Sequence, residues 1–130
     1  MSFSEQMLTA LEKGDQAQAR ELFTQALQHD DDETLYNLAG ELYALGFIAQ
    51  AQRLYEELLG KYPEMDDLRA NLADIAVSNG DADKALNYLA QIKPDSDSYV
   101  AGLMTQADVY QTQGLYEVSE QKLLTAQRLA

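Results

Sequence analysis

Apolar side chains recur at steps of three and four residues along most of the chain, a spacing that places them on one face of a helix. The clearest run is Leu35, Leu38, Leu42 and Leu45, and a similar run begins at Leu68. No stretch alternates between apolar and polar residues as a strand would. The pattern therefore predicts eight helices and no strand, with helices at about 3–13, 16–28, 32–45, 48–61, 65–79, 82–92, 97–113 and 116–129.

A fourfold repeat organises these predicted helices. The glycines Gly14, Gly46, Gly80 and Gly114 are separated by 32, 34 and 34 residues. Five residues after each glycine lies a small side chain, and four residues further lies a large apolar one. The small residues are Ala19, Ala51, Ala85 and Ser119, and the large ones are Phe23, Tyr55, Leu89 and Leu123. Agreement at several positions with one period predicts stacked structural units.

Each repeated position has a physical reason. The glycine falls between two helical patterns, where a tight turn needs a positive φ. The small residue lets two helices cross closely, and the bulky one fills the space between them. The acidic run 30–32 is expected to cap the helix that follows it, and the run 95–98 to cap the helix after Pro94. Pro63 and Pro94 are expected to end the second and third units.

The second unit carries a recognisable combination of residues: Leu38, Ala39, Gly46, Ala51, Tyr55 and Pro63. With these residues the chain resembles the tetratricopeptide repeat (TPR) family, and the likeness extends over its whole length. It also looks like the N-terminal repeats of a longer bacterial TPR protein. Three features depart from the family pattern. The early aromatic position holds no Trp, the first unit is two residues short, and Ser119 replaces the small Ala of the fourth unit.

The resemblance implies an all-α fold, a right-handed α-solenoid of about four helix-turn-helix repeats with about eight antiparallel helices. We expect one domain over residues 1–130, with repeats at approximately 1–31, 32–65, 66–99 and 100–130. The last predicted helix has no Gly, Asn or Pro stop and no capping helix after it. Because terminal repeats need a polar cap, we expect the native chain to continue, or a second copy to cover this helix.

The charge narrows the possible partners. The chain has 22 acidic and nine basic residues and a net charge of −13, which disfavours nucleic acid and anionic membranes. It contains no Cys, and Glu5 lies where a signal peptide would be apolar. The longest apolar run, Leu42 to Ala49, is too short to span a bilayer. These features predict a cytoplasmic protein, and the negative charge permits basic partners.

The sequence contains no convincing motif for metal binding, phosphate binding or catalysis. His29 is the only histidine, so with no Cys a transition-metal site lacks a ligand set, and a helix-end role suits this residue better. The run 95–98 resembles the start of a calcium loop, but the required Gly and final Glu are missing. The glycines are too far apart for a phosphate-binding loop. We predict no catalytic residue, metal or cofactor, and no enzymatic activity.

In TPR arrays the first helix of each unit lines a concave groove that binds peptides. The resemblance places Tyr36, Tyr43, Asp74, Met104 and Asp108 there. Tyrosines and carboxylates favour a segment with Lys or Arg and an apolar anchor, and disfavour acidic C-terminal tails. Other interpretations remain open: the tyrosines pack between repeats, Met104 fills the core, and the two aspartates are solvated charges.

The leading functional hypothesis is a protein–protein interaction module that binds a partner segment in this groove. Two alternatives accompany it. In the first, the chain is a scaffold that self-associates through its terminal helices, giving a homo-oligomer through the uncapped last helix. In the second, these repeats are an accessory arm of a longer protein whose activity resides elsewhere.

Overall fold

The computed structural model describes residues 1–130 and contains eight α-helices and no strand. They are α1 (Phe3–Glu12), α2 (Gln16–His29), α3 (Asp32–Ala44), α4 (Ile48–Lys61), α5 (Asp66–Ser78), α6 (Ala82–Ala90), α7 (Tyr99–Thr112) and α8 (Tyr116–Leu129). The all-α prediction is confirmed, and no helix end differs from its predicted position by more than two residues. None of the helices has the length and apolar character needed to cross a membrane.

Within each of the four helix pairs, a glycine turn joins the two helices. Gly14, Gly46, Gly80 and Gly114 have φ values of 76°, 91°, 75° and 79°, and no other residue type has a positive φ. After α5, the amide of Gly80 donates to the Val77 carbonyl at 3.0 Å and that of Asp81 to the Ala76 carbonyl at 2.9 Å. These bonds satisfy carbonyls left open at a helix end, as in a Schellman motif.

Small side chains lie where the paired helices cross. Ala73 on α5 and Ala85 on α6 are fully buried, as are the matching alanines of the second pair. In the fourth pair Ser119 takes the place of alanine and is buried too. Its hydroxyl donates to the Ala107 carbonyl of α7 at 2.8 Å, so the buried polar atom has a partner.

The large residues of the repeat differ in burial. Phe23, Tyr55 and Leu89 are buried, whereas Leu123 is 44% exposed. The expectation that Leu123 fills a space between helices is therefore wrong. Because α8 packs against α7, Leu123 lies on the part of α8 that this contact leaves open.

The chain divides into two compact units, Met1–Leu58 and Leu59–Ala130. In the first unit, α1 packs against α2 and α3. The Tyr36 ring of α3 meets the Tyr55 ring of α4 edge-on, with centroids 5.9 Å apart. Such aromatic pairs add to the energy of burial and fix the relative position of their helices.

In the second unit α5 pairs with α6 and α7 with α8, and α7 also contacts α5 and α6. Ala73, Leu89 and Ile92 form a buried cluster here. Gly102 on α7 is buried beside it, and a Cβ at this position would lie 3.3 Å from Ile92 Cδ1. The missing side chain therefore permits the close approach of α7 to α6.

Two aspartates tie the end of a helix pair to its beginning. Asp30, after α2, accepts hydrogen bonds from the Ser4 amide at 2.8 Å, the Ser4 hydroxyl at 2.6 Å and the Phe3 amide at 3.3 Å. Asp66, at the start of α5, accepts from the Lys93 amide beyond α6 at 2.9 Å. Each carboxylate thus closes its helix pair at the end opposite the glycine turn.

These contacts correct two capping expectations. Asp31 caps α3 by accepting from the Thr34 amide at 2.8 Å, but Asp30 serves α1 instead of the helix that follows it. Ser98 precedes α7 without making a side-chain cap. Its amide donates to Ser96 Oγ at 3.1 Å, so the run 95–98 folds as a turn and α7 begins two residues later than predicted.

Asp66 is the most deeply buried carboxylate in the chain, with 5% of the residue exposed. Arg69 Nη1 lies 2.8 Å from its Oδ1, and Lys93 Nζ lies 3.7 Å from its Oδ2. Burial alone raises the pKa of this carboxyl, but hydrogen bonds from Lys93 N and Arg69 and the two positive charges lower it overall. A lowered folded-state pKa stabilises the protein above the unfolded pKa, and this stability is lost as the pH falls through the folded pKa.

The glycine turns yield a matched pair of substitutions. Gly80→Ala should destabilise the protein by about 1–2 kcal/mol, because an L-residue at φ 75° is strained although the added methyl has free space. Gly60→Ala should stabilise it by about 0.5–1 kcal/mol, because Gly60 is exposed within α4. Urea unfolding followed by circular dichroism measures both. Equal effects of the two substitutions would contradict the turn assignment.

Asp66 yields a prediction that depends on pH. Asp66→Asn should lower the free energy of unfolding at pH 7 by about 1–3 kcal/mol, because buried donors lose a charged acceptor. The difference from wild type should shrink as the pH falls through the lowered pKa of Asp66, where the native carboxyl also becomes neutral. Asp97→Asn, at an exposed carboxyl in the turn before α7, is the control and should change little. A difference that stays constant with pH would show that the charge of Asp66 is unimportant.

Candidate functional site

Three of the predicted binding residues lie in the second unit. Asp74 is on α5, and Met104 and Asp108 are on the neighbouring helix α7. All three side chains are exposed, as is Val77 one turn after Asp74. We call these four residues the α5–α7 face. Met104 is 52% exposed, so the interpretation of this residue as core filler is wrong.

The carboxyl of Asp74 has an unusual environment on this face. Its side chain is open to solvent, yet burial by surrounding atoms raises the pKa of the carboxyl. Partial desolvation disfavours the charged form of a carboxyl, which is why the pKa rises. No hydrogen bond or ion pair within the chain compensates for this desolvation. The arrangement leaves an accessible carboxylate that gains from an external positive charge.

The two tyrosines belong to the first unit, where both are half-buried on α3. Tyr36 packs edge-on against Tyr55, and a Cβ at Gly40 would lie 3.8 Å from the Tyr55 hydroxyl oxygen. This contact supports a packing role for Tyr36 against the second helix of its own repeat. Tyr43 lies two turns further along the same helix.

Comparison with known sequences decides the family. A tetratricopeptide repeat model matches residues 42–107, half of the chain. The chain belongs to the tetratricopeptide repeat family. The TPR repeat-containing protein YpiA of Bacillus subtilis (strain 168) is 36% identical over 102 residues, which are 78% of this chain. The chain spans only 23% of the length of that relative.

Solved structures agree on the fold. The crystal structure of MamA matches with a TM-score of 0.72 at 17% identity, over 97% of this chain and 75% of that one. A tetratricopeptide repeat protein from Parabacteroides merdae ATCC 43184 matches with a TM-score of 0.70 at 20% identity, over 98% of this chain and 53% of that one. The fold is therefore an all-α helical-repeat solenoid. Tetratricopeptide repeats generally mediate protein–protein interactions and are generally non-catalytic.

In TPR terms, the α5–α7 face is formed by the first helices of the third and fourth repeats. No group of three or more His, Cys, Asp or Glu side chains is arranged to hold a metal ion. His29 lies in the last turn of α2, and its ring is 5.6 Å from that of Phe3 at a tilt of 40°. A histidine there interacts favourably with the helix dipole.

A groove in the first unit was not found from the sequence. It lies between α1, α2 and the start of α4 and has a volume of about 470 Å³. Arg20 and Arg53 line it. An arginine on an exposed helix face is usually a solvated charge, so the sequence alone does not distinguish these two from other surface arginines. The sequence signal for this groove was limited to the presence of two arginines in a strongly acidic chain.

Proposed function

We propose that the chain is a non-catalytic binding module that captures a segment of another protein, and that the α5–α7 face contacts this segment. The observation that carries the proposal is the accessible, partly desolvated and unpaired carboxyl of Asp74. Membership of a family that generally mediates protein interactions supports it. The exposure of Met104 and Val77 beside two aspartates supports it further, because apolar contacts supply affinity and charges supply orientation.

The chemistry of this face favours a segment that combines Lys or Arg with an apolar side chain. A basic group near Asp74 and Asp108 gains Coulomb energy, and more so where water is partly excluded. An apolar anchor would lie against Met104 or Val77, which are 52% and 45% exposed. Tyr43, on α3 of the first unit, stays a separate prediction of a partner contact.

Self-association is the second candidate, and α8 supplies the observation that favours it. Leu123, Leu124 and Leu129 are 44%, 52% and 55% exposed, and Tyr116 is 67% exposed. Apolar surface of this kind often marks a contact site. A molar mass that rises with concentration in sedimentation would support a homo-oligomer, and a constant monomer mass would reject it.

The binding proposal is tested with a labelled peptide that carries two lysines beside a leucine pair. Asp74→Asn and Asp108→Asn should each weaken binding about two- to fivefold, the effect of losing one partly exposed charge. Asp83→Asn, on the exposed side of α6, changes the net charge equally and is the control. Fluorescence anisotropy measures the affinities. Equal weakening by all three substitutions would mean that net charge alone attracts the peptide.

Thermal stability separates a binding role from a packing role. Because burial raises the pKa of Asp74, its contribution to stability is present below the unfolded pKa and is lost as the pH rises through the folded pKa. At pH 7 the ionised carboxyl therefore destabilises the folded state slightly. Asp74→Asn should leave Tm unchanged or raise it. A clear fall in Tm would show that Asp74 supports the fold.

A further inference from the structure

The groove between α1, α2 and the start of α4 combines an apolar floor with a basic rim. Met7, Ala19 and Phe23 are buried and form part of the floor, and Phe47 adds a half-buried ring. Arg20 on α2 and Arg53 on α4 line the same space and are exposed. A volume of about 470 Å³ is suited to a few side chains.

The charge of this groove is opposite to that of the molecule as a whole. Of the 22 acidic residues none lines it, whereas two of the four arginines do. The guanidinium of Arg20 has no ion-pair partner in the chain. Arg53 pairs through Nε with Glu57 at 3.5 Å, but both side chains are at least half exposed, so this pair contributes little. The basic rim is thus available to an external carboxylate.

Two further contacts shape the basic rim. The guanidinium of Arg53 lies 5.7 Å from the centre of the Phe23 ring, a cation–π contact that restricts the side chain before any ligand arrives. The first turn of α4 also lines the groove, and a helix N-terminus carries a partial positive charge. Phe47 precedes α4 and has no side-chain acceptor to offset that charge, whereas Asp15 caps α2 by accepting from the Gln18 amide.

We propose that this groove binds an acidic segment of a partner protein, with carboxylates between Arg20 and Arg53 and a neighbouring apolar side chain on the floor. The charge complementarity identifies the occupant: a carboxylate finds the unpaired guanidinium of Arg20 and the exposed guanidinium of Arg53 here, in a molecule whose net charge is strongly negative. The site is distinct from the α5–α7 face, lies in the other unit and has the opposite charge preference. It is formed mainly by the second helices of the first two repeats.

The probe is a fluorescein-labelled peptide with four glutamates around a leucine–phenylalanine pair, measured by anisotropy. Wild type should bind it with an affinity that falls as salt rises. Arg20→Glu and Arg53→Glu should each weaken binding at least about tenfold, because each replaces an attractive charge with a repulsive one. Arg128→Glu, at an exposed site in the last turn of α8, makes the same change in net charge and should bind like wild type.

Several results would overturn the proposal. One is the absence of binding at millimolar peptide. Another is an equal loss of affinity in all three variants. A third is equal affinity for a peptide in which serines replace the apolar pair. If Arg53→Glu disturbs the fold by losing its contact with Phe23, Arg20→Glu decides alone, because Arg20 has no ion-pair partner within the chain. A mass that rises with concentration and falls in Arg20→Glu, without peptide binding, would make a second copy the occupant and reject a partner segment.

Discussion

The structure depends on one backbone constraint: each helix pair must reverse direction within a turn that only a residue at positive φ can make. Glycine meets this requirement four times, at φ between 75° and 91°. Once the turn is fixed, the helical period decides which residues face each other across the pair. Ala73 and Ala85, seven residues before and five after Gly80, are therefore both fully buried at the crossing of α5 and α6.

The open end of a helix pair needs a separate interaction, because the glycine turn holds only one end. Asp30 and Asp66 provide it by accepting backbone hydrogen bonds from the far end of their pair. A buried carboxylate is costly unless its oxygens are satisfied, and Arg69 completes the partners of Asp66. In the first and third pairs the turn and the open end are both held by interactions within the pair, so the outer helix faces are free to differ in charge. That freedom allows an acidic α5–α7 face in one unit and an arginine-rimmed groove in the other.

Local features were predictable from the sequence and contacts between distant residues were not. Helix period and glycine turns are encoded within a few residues, so the helix bounds agree closely with prediction. Asp66 looks like one more solvated acid in an acidic chain, because its backbone partner, Lys93, is 27 residues away. Its one local hint was Arg69, three residues later on the same helix.

In the candidate sites, too, the positions set by the repeat were predictable and the contacts between distant residues were not. The repeat pattern placed Met104 and Asp108 on one row of α7, and both are exposed. It could not reveal that surrounding atoms partly desolvate Asp74, which depends on packing around α5. Arg20 and Arg53 lie six and seven residues after their glycines, so they do not share a repeat position. Only the packing of α2 and α4 brings both to one groove.

The central claim is that two surfaces of opposite charge, one in each unit, recognise different segments. Separate NMR titrations of the ¹⁵N-labelled chain with the acidic and the basic peptide test it most directly. We expect the acidic peptide to shift amide signals in α1, α2 and the start of α4, and the basic peptide to shift those of α5 and α7. Shifts at one shared set of residues for both peptides, or at α8 alone, would contradict the claim.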